Sequence, residues 1–157
     1  MPRDHGSSSE VRSAAIAWTL PIVVGAHPDA ERRDRPLAYA LAARIREWAA
    51  DRRSQPALDP LVCSDLWYLN DDTLRAQPTI AIGHPGVNAL SAHLGDKLPT
   101  ALVVDDRRLV QLDPELIDLA ACCWGVDERE THAAVDDLCE RFLEDFLDAA
   151  DARVRRG

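Results

Sequence analysis

Short apolar runs recur along the chain, separated by polar stretches or by segments with helical spacing. The first run, residues 20–26, is continuous and rich in β-branched residues, which is typical of a strand buried on both faces of a sheet. Residues 109–112 follow another run, 101–105, across a polar turn, which predicts a hairpin over 101–112. The remaining apolar runs predict strands at 61–66, 79–82 and 117–123.

Three segments carry the periodicity of an amphipathic helix. We expect a first helix over residues 36–50, after a polar loop at 27–35, because Pro36 suits the first turn of a helix. A short helix is predicted after Asn88, whose side chain is a good N-cap. The last helix follows Asp127 and carries one apolar stripe opposite a face rich in carboxylates.

Strands that alternate with helices indicate βαβ units and a mostly parallel sheet. Right-handed crossovers place the helices on both faces of such a sheet. We therefore predict a three-layer α/β sandwich of about five strands, flavodoxin-like in broad plan, with the hairpin at 101–112 as a departure from that plan. A single domain is expected over residues 14–150, between a disordered N-terminal tail (1–13) and a frayed C-terminal tail (151–157).

The charge of the chain argues against several classes of partner. The 157 residues carry a formal net charge of −9, and a uniformly acidic domain repels nucleic-acid phosphates and anionic lipid surfaces. No apolar run reaches the ~18 residues that a membrane-spanning helix needs, and the N-terminus has no apolar segment typical of a secretory signal. We therefore predict a cytoplasmic protein with neither a nucleic-acid nor a membrane partner.

The four cysteines, Cys63, Cys122, Cys123 and Cys139, show no zinc-ribbon spacing. Cys122 and Cys123 are adjacent in the last predicted strand, so their side chains point to opposite faces of the sheet. Burial of both faces explains the two thiols as small core residues. This pattern favours a reducing compartment without disulfides. No motif in the chain identifies a cofactor.

Polar side chains follow the carboxyl ends of the predicted strands, where ligands bind in open parallel sheets. His27 and Asp29 come after the first strand, and Trp124 comes after the last. In a 2-1-3 strand order, His27, Asp65 and His84 come from neighbouring strands. Two imidazoles and a carboxylate can hold zinc or iron with a position open for water, so one hypothesis is a metal-dependent hydrolase that uses these three residues.

The loop at residues 83–88 combines a strand end, two glycines and a helix start. Backbone N–H groups and the helix dipole make such a junction a binding site for anions, which makes Gly83, His84, Gly86 and Asn88 candidate ligand-binding residues. The loop matches neither a Walker A sequence nor Gly-x-Gly-x-x-Gly, and glycines at such turns also serve purely conformational needs. Our leading hypothesis is a non-catalytic domain that binds a small anionic ligand or a protein partner at the carboxyl ends of the strands.

Residues 25–31, Gly-Ala-His-Pro-Asp-Ala-Glu, resemble the start of the zinc-dependent N-acetylglucosaminyl deacetylases of the PIG-L/LmbE type, whose pattern is Ala-His-Pro-Asp-Asp-Glu. The resemblance implies that His27 binds zinc and that Asp29 is a general base. The second, metal-binding aspartate of that family is Ala30 here, and the family's later His-x-x-Asp-His segment is missing. Because the likeness covers seven residues, we do not assign the chain to this family.

Three aromatic residues, Trp67, Tyr68 and Trp124, lie near predicted strand ends. Large aromatic side chains are mostly buried, so we predict core positions for them, whereas an exposed one favours a protein partner. A third hypothesis is therefore a structural or assembly subunit, and a homo-oligomer is compatible with it. The sequence leaves open whether the protein is an enzyme.

Overall fold

Six strands form one sheet in the computed structural model of the protein, which describes residues 17–157. The sheet order is β2-β1-β3-β6-β5-β4; β2, β1, β3 and β6 are parallel, and β5 is antiparallel to both neighbours. The mostly parallel sheet is thus confirmed, with six strands instead of about five. Its order begins 2-1-3, the arrangement on which the grouping of His27, Asp65 and His84 depended. The tail expected at 1–13 lies outside the described residues. The strands are β1 (Thr19–Val24), β2 (Asp59–Ser64), β3 (Thr79–Ile82), β4 (Thr100–Val104), β5 (Arg108–Leu112) and β6 (Ala120–Gly125).

Helices cover both faces of the sheet, which makes the three-layer α/β sandwich that the sequence predicts. α1, α5 and α6 pack on one face, around buried Ile45 and Phe146, and α2, α3 and α4 pack on the other, around Leu90. Among the described residues, no helix is both long and apolar enough to span a membrane. The helices are α1 (Pro28–Arg52), α2 (Asp65–Leu69), α3 (Asp72–Arg75), α4 (Ala89–Gly95), α5 (Glu128–Arg141) and α6 (Leu143–Arg156).

The two adjacent cysteines of β6 confirm that this strand is buried on both faces. Cys123 packs in the core under α1, α5 and α6, whereas Cys122 packs in the core under α2, α3 and α4. All four cysteines are free. Burial raises the pKa of the Cys63 and Cys122 thiols to about 11, so neither ionises readily. These thiols are packing groups.

The hairpin predicted over 101–112 is present and consists of β4 and β5. Asp105 and Asp106 form its turn, with φ of 51° and 52°. Two consecutive left-handed residues are the mark of a type I′ turn, whose twist matches that of the flanking strands. The hairpin therefore extends the parallel sheet at one edge without a crossover helix.

Helix α1 begins eight residues earlier than predicted, at Pro28, and Pro36 lies inside it. His27 caps its start, because Nδ1 accepts a hydrogen bond of 3.1 Å from the Asp29 N–H. The prediction placed residues 27–35 in a loop because they are mostly charged. Burial of Ala30 and Ala38, spaced eight residues apart on one helical face, shows that tertiary packing extends the helix across this charged stretch.

Other element boundaries also differ from the prediction. Asp65 begins α2 and does not belong to β2, and β6 begins at Ala120 rather than at residue 117. The Asp113 carboxylate accepts three backbone N–H groups, which folds residues 113–118 into a turn before β6. The last predicted helix is two helices that meet at Phe142.

The C-terminal residues are helical further than expected. The tail predicted as frayed, 151–157, continues α6 as far as Arg156. Arg155 pairs with Asp151 one turn earlier, with Nε 2.7 Å from Oδ2, and also donates to the Pro56 carbonyl at 3.0 Å. These contacts tie the end of α6 to the domain.

Candidate functional site

A cavity of about 230 Å³ opens at the carboxyl ends of β3 and β6, and we call it the carboxyl-edge cavity. The loop after β3, the first turns of α1 and the start of α5 form its walls. It therefore lies at the edge of the sheet where ligands bind in open α/β folds. The charged side chains and the imidazole that line it are Asp29, Arg33, Asp34, His84, Asp127 and Glu128.

Glycines at three strand ends bring the walls of this region together. A Cβ on Gly25 would lie 1.7 Å from the Val87 carbonyl oxygen, and a Cβ on Gly125 would lie 2.3 Å from the Glu130 carbonyl carbon. The loop after β3 and the first turn of α5 can approach the sheet only because both residues lack a side chain. Gly83, the third, has φ of +122°, which strongly favours glycine.

Asp34 projects from α1 into the space that Gly83 leaves free. A Cβ on Gly83 would lie 2.4 Å from Asp34 Oδ2, so the carboxylate packs directly against the glycine backbone. Asp34 is only 6% exposed and lines the carboxyl-edge cavity. Within residues 17–157 neither carboxylate oxygen has a hydrogen-bond or ion-pair partner. The side chain is nearly buried, but its oxygens are not among the polar atoms sealed from solvent, so they are reached from the cavity that Asp34 lines. A carboxylate with so little exposure and no partner in the protein is unusual.

The surroundings of Asp34 raise its pKa from the ordinary value to about 6. Loss of solvation is the main cause, since burial disfavours the charged form. The neighbouring Arg33 guanidinium lowers the pKa and the Glu128 carboxylate raises it, by smaller amounts. Asp34 therefore changes protonation state within the range of pH that cells experience.

The other carboxylates of the cavity already have partners. Asp127 lies 3.1 Å from the Arg107 guanidinium and caps α5 by accepting the Glu130 N–H at 2.8 Å. Glu128 lies 4.0 Å from Arg33 Nε, and Asp29 lies 3.4 Å from Arg32. Four carboxylates line the cavity together with one arginine, so its lining is acidic.

Asp65, a predicted site residue, is as buried as Asp34 but fully bonded. Its Oδ1 accepts the N–H groups of Ala26 at 3.0 Å and Leu66 at 2.8 Å, and its Oδ2 accepts that of Ala89 at 2.8 Å. These bonds tie the ends of β1 and β2 to the start of α4. Asp65 is thus a positioning group for three strand-end segments.

The hydrogen-bond donors of the loop at 83–88 and of the start of α4 bond to acceptors within the protein. Asn88 is fully buried; its amide donates to the Val23 and Ile82 carbonyls and accepts from the first N–H groups of α4. The Gly86 N–H donates to His84 Nδ1, and Asp65 takes the Ala89 N–H. The N–H groups that an anion would use at this helix start are therefore occupied by the protein itself.

The two histidines and Asp65 do not form a metal site. His27 Nδ1 accepts the Asp29 N–H and His84 Nδ1 accepts the Gly86 N–H, so each ring is held by its own loop. Over residues 17–157, no three His, Cys, Asp or Glu side chains come together in a way that could hold a metal ion. Of the three, only His84 lines the carboxyl-edge cavity.

The zinc chemistry implied by the resemblance at residues 25–31 does not fit this geometry. Ala30, at the position of the family's metal-binding aspartate, is completely buried. Asp29 is half exposed and lies 3.4 Å from Arg32 and 3.9 Å from His27 Nδ1, and no third metal-binding side chain joins this pair among the described residues.

The three aromatic residues have different environments. Tyr68 is buried, as predicted, and its hydroxyl lies 3.0 Å from Thr79 Oγ1. Trp67 is 51% exposed, so the core prediction is wrong for it, because it lies on the solvent side of α2. Trp124 is partly buried and meets His84 edge-on, with ring centroids 4.7 Å apart. Trp124 thereby supports one wall of the cavity.

Asp34 is the residue that the sequence interpretation missed. The interpretation placed it in a polar loop, where an aspartate is unremarkable. The signal was its spacing, four residues after Ala30 and four before Ala38, which puts a charge in the middle of an apolar helical stripe. Because Pro36 indicated a later helix start, Ala30 and Asp34 were not included in the predicted helix and the stripe was not recognised.

We compared the chain with models of protein families, with curated proteins and with solved structures, and none of the three comparisons found a match.

Proposed function

We propose that this domain binds a small cationic or hydrogen-bond-donating ligand, such as a protonated amine or a guanidinium, in the carboxyl-edge cavity. The observation that carries the proposal is the buried Asp34 carboxylate, which lines the cavity without a partner. Burial of an unpaired charge is costly. A ligand that supplies opposite charge and N–H donors offsets this cost, and charge-assisted hydrogen bonds are among the strongest in proteins.

The proposal keeps the location expected from the sequence but reverses the sign of the ligand. Asp65 and Asn88 occupy the N–H groups of the loop at 83–88, which were the expected anion site. Asp34 and its acidic neighbours instead give the cavity a negative potential, which attracts cations. A small ligand also suits a volume of about 230 Å³.

A second candidate function is proton-transfer catalysis in the same cavity. It is favoured by the raised pKa of Asp34, about 6, because a general base works best when its pKa is close to the working pH. His84 lines the same cavity, and its Nδ1 already accepts a backbone N–H, so a neutral ring carries its proton on Nε2. A substrate with an acidic proton could lose that proton to Asp34.

The cellular location and the macromolecular partners of the protein are proposed from its cysteines, its net charge and its exposed apolar side chains. Four free cysteines support the reducing, cytoplasmic location, and the net charge of −9 supports the absence of a nucleic-acid partner. The exposed side chains of Leu66 and Trp67 support an additional protein partner, since tryptophan is a frequent anchor of interfaces. A homo-oligomer stays a prediction.

The test measures binding of n-butylamine and butylguanidine by calorimetry, with n-butanol as the uncharged control. We expect both cations to bind and the alcohol not to bind. Asp34→Asn removes the negative charge without changing side-chain size, and should weaken cation binding by about tenfold or more. The matched control is Asp29→Asn, which removes the same charge from the same cavity at a half-exposed, already paired position.

Affinity should also depend on pH in one direction. Both ligands stay protonated below about pH 9, whereas Asp34 becomes neutral as the pH falls through about 6. Cation binding should therefore weaken from about pH 7 to about pH 5 in the wild type. This dependence of cation affinity on pH should be absent in Asp34→Asn. Equal affinity in the wild type and in Asp34→Asn would rule out Asp34 as the ligand's acceptor.

A further inference from the structure

A second cavity, of about 240 Å³, lies at the opposite end of the sheet, and we call it the amino-edge cavity. It borders the first residues of β3 and β6, Thr79 and Ala120. Its other walls come from α2, α3, α4 and the last turn of α6. It shares no residue with the carboxyl-edge cavity, and its chemistry is different.

Positive charge dominates this cavity although the chain as a whole is acidic. Arg75 of α3, Lys97 after α4 and Arg153 of α6 line it, against a single carboxylate, that of Asp118. Lys97 is the only lysine of the sequence, in a chain with net charge −9. Three cations from three separate segments therefore face one small space.

Among the described residues, only one of these three cations, Arg75, forms an ion pair. Within residues 17–157 neither Lys97 nor Arg153 forms an ion pair, and Arg153 donates only to the Ala76 carbonyl, at 3.3 Å. Arg75 lies 3.5 Å from Asp72, whose side chain is almost completely exposed. An exposed pair of this kind contributes little and exchanges easily. All three charges are thus available to a ligand.

Part of the remaining wall is apolar, and Gln77, Thr79 and His93 add polar groups to it. Leu69, Leu90, Leu94 and Leu119 line the cavity beside the Tyr68 ring. The Tyr68 hydroxyl is held by Thr79, which fixes the ring against this wall. An apolar wall next to cations suits a ligand with an anionic head and an apolar body.

We propose that the amino-edge cavity binds a small organic dianion, a phosphate monoester or a dicarboxylate with an apolar body, through Arg75, Lys97 and Arg153. Arginine guanidinium groups pair with both phosphate and carboxylate oxygens in bidentate geometry, and lysine adds a point charge. The proposal is independent of the cation site at the other end of the sheet.

The single lysine makes a direct experiment possible. Reductive methylation with ¹³C-formaldehyde gives Lys97 one dimethylamine NMR signal and keeps its positive charge. The signal is followed during titration with phenyl phosphate and with phthalate, and benzyl alcohol serves as the neutral control. We expect a saturable shift with at least one dianion and none with the alcohol. The comparison of phenyl phosphate with phthalate shows which anionic group is preferred.

Substitutions show whether the other two cations act together with Lys97. Arg153→Gln and Arg75→Gln should each weaken dianion binding by about tenfold. The control is Arg141→Gln, an exposed arginine at the end of α5 that lines neither cavity. Calorimetry on the unmethylated wild type and on the same variants measures dianion affinity without the added methyl groups. Failure of both dianions to bind, or equal binding by Arg153→Gln and the wild type, would overturn the proposal.

Discussion

Two aspartates of this protein are equally buried and have opposite surroundings. Asp65 is 5% exposed and accepts three backbone N–H groups from three segments of the chain. Asp34 is 6% exposed and accepts none within residues 17–157. Burial alone therefore does not distinguish a carboxylate with internal hydrogen-bond partners from one without them, such as Asp34, which we propose binds a ligand. The number of internal partners matters, because each donor offsets part of the cost of desolvation.

The two ends of the sheet also differ, in the sign of the charge that lines their cavities. At the carboxyl ends of β3 and β6, Asp34 faces a cavity lined with carboxylates, whereas at their amino ends Arg75, Lys97 and Arg153 face another cavity. The acidic net charge of the chain describes only the first of these. A local excess of one charge sign sets the electrostatic potential inside a concave site, and the net charge of the molecule does not report it.

The largest effect on stability is expected from Gly83→Ala, because the new methyl group would occupy the space in which the Asp34 carboxylate lies. The new Cβ must fit at φ of +122° and 2.4 Å from Asp34 Oδ2. We expect a loss of about 3–5 kcal/mol in the free energy of unfolding, measured with urea. Gly95→Ala is the control, since a Cβ there meets nothing within 4 Å.

A double substitution sharpens this first prediction. In an Asp34→Ala background the contact with Oδ2 is gone, so Gly83→Ala should cost about 1–2 kcal/mol less than in the wild type. The remaining cost is then the backbone conformation alone. If Gly83→Ala lowered the free energy of unfolding equally in both backgrounds, the absence of a side chain at Gly83 would not be needed to accommodate the Asp34 carboxylate.

The next effect in size concerns Asp65→Asn. An asparagine keeps one acceptor oxygen, but its NH₂ group points at an N–H donor where the carboxylate had accepted. The change should lower the free energy of unfolding by about 2–4 kcal/mol at neutral pH, because a buried donor loses its acceptor. Asp96→Asn, on an exposed aspartate after α4, should change it very little. A stable Asp65→Asn would contradict the structural role.

The smallest effect, and one of opposite sign, is expected from Asp34→Asn. The folded protein binds the Asp34 proton more tightly than the unfolded chain, since its pKa is about 6 instead of the usual value near 4. Ionisation therefore costs stability as pH rises from about 4 to about 6, and this cost persists at higher pH.

Asparagine avoids this cost. Relative to the wild type, Asp34→Asn should gain about 1–3 kcal/mol between about pH 4 and about pH 8, measured as the difference between the two urea titrations. The raised pKa of Asp34 depends on Arg33 and Glu128 as well as on burial, so Glu128→Gln should reduce the gain slightly. A difference that does not change with pH would contradict the titration of a buried Asp34.

Sequence periodicity predicted much of the fold because hydrophobic spacing is a local property. Continuous apolar runs correctly indicated β1 and β3, and the 101–112 hairpin followed from two runs across a polar turn. The start of α1 was wrong because two prolines, Pro28 and Pro36, each suit a first helical turn. Local preference could not choose between them.

The sequence placed the candidate site at the carboxyl edge of the sheet, and a cavity lined by His84 and Asp29 does lie there. Whether that cavity binds a ligand stays a prediction. Asp34 was missed, whereas Asp65 and Asn88 were named as ligand residues although their hydrogen bonds are internal. Partners 24 to 65 residues away along the chain decide these roles, and no local pattern reports them.

The sequence by itself determined the class of fold, the acidic charge and the faces to which Cys122 and Cys123 point. Those properties follow from residue spacing and composition. Only the tertiary structure decided which buried aspartate is satisfied and where the cations of an acidic chain converge. The reason is physical: the energy of a buried charge depends on the donors packed around it, and folding brings those donors from distant parts of the chain.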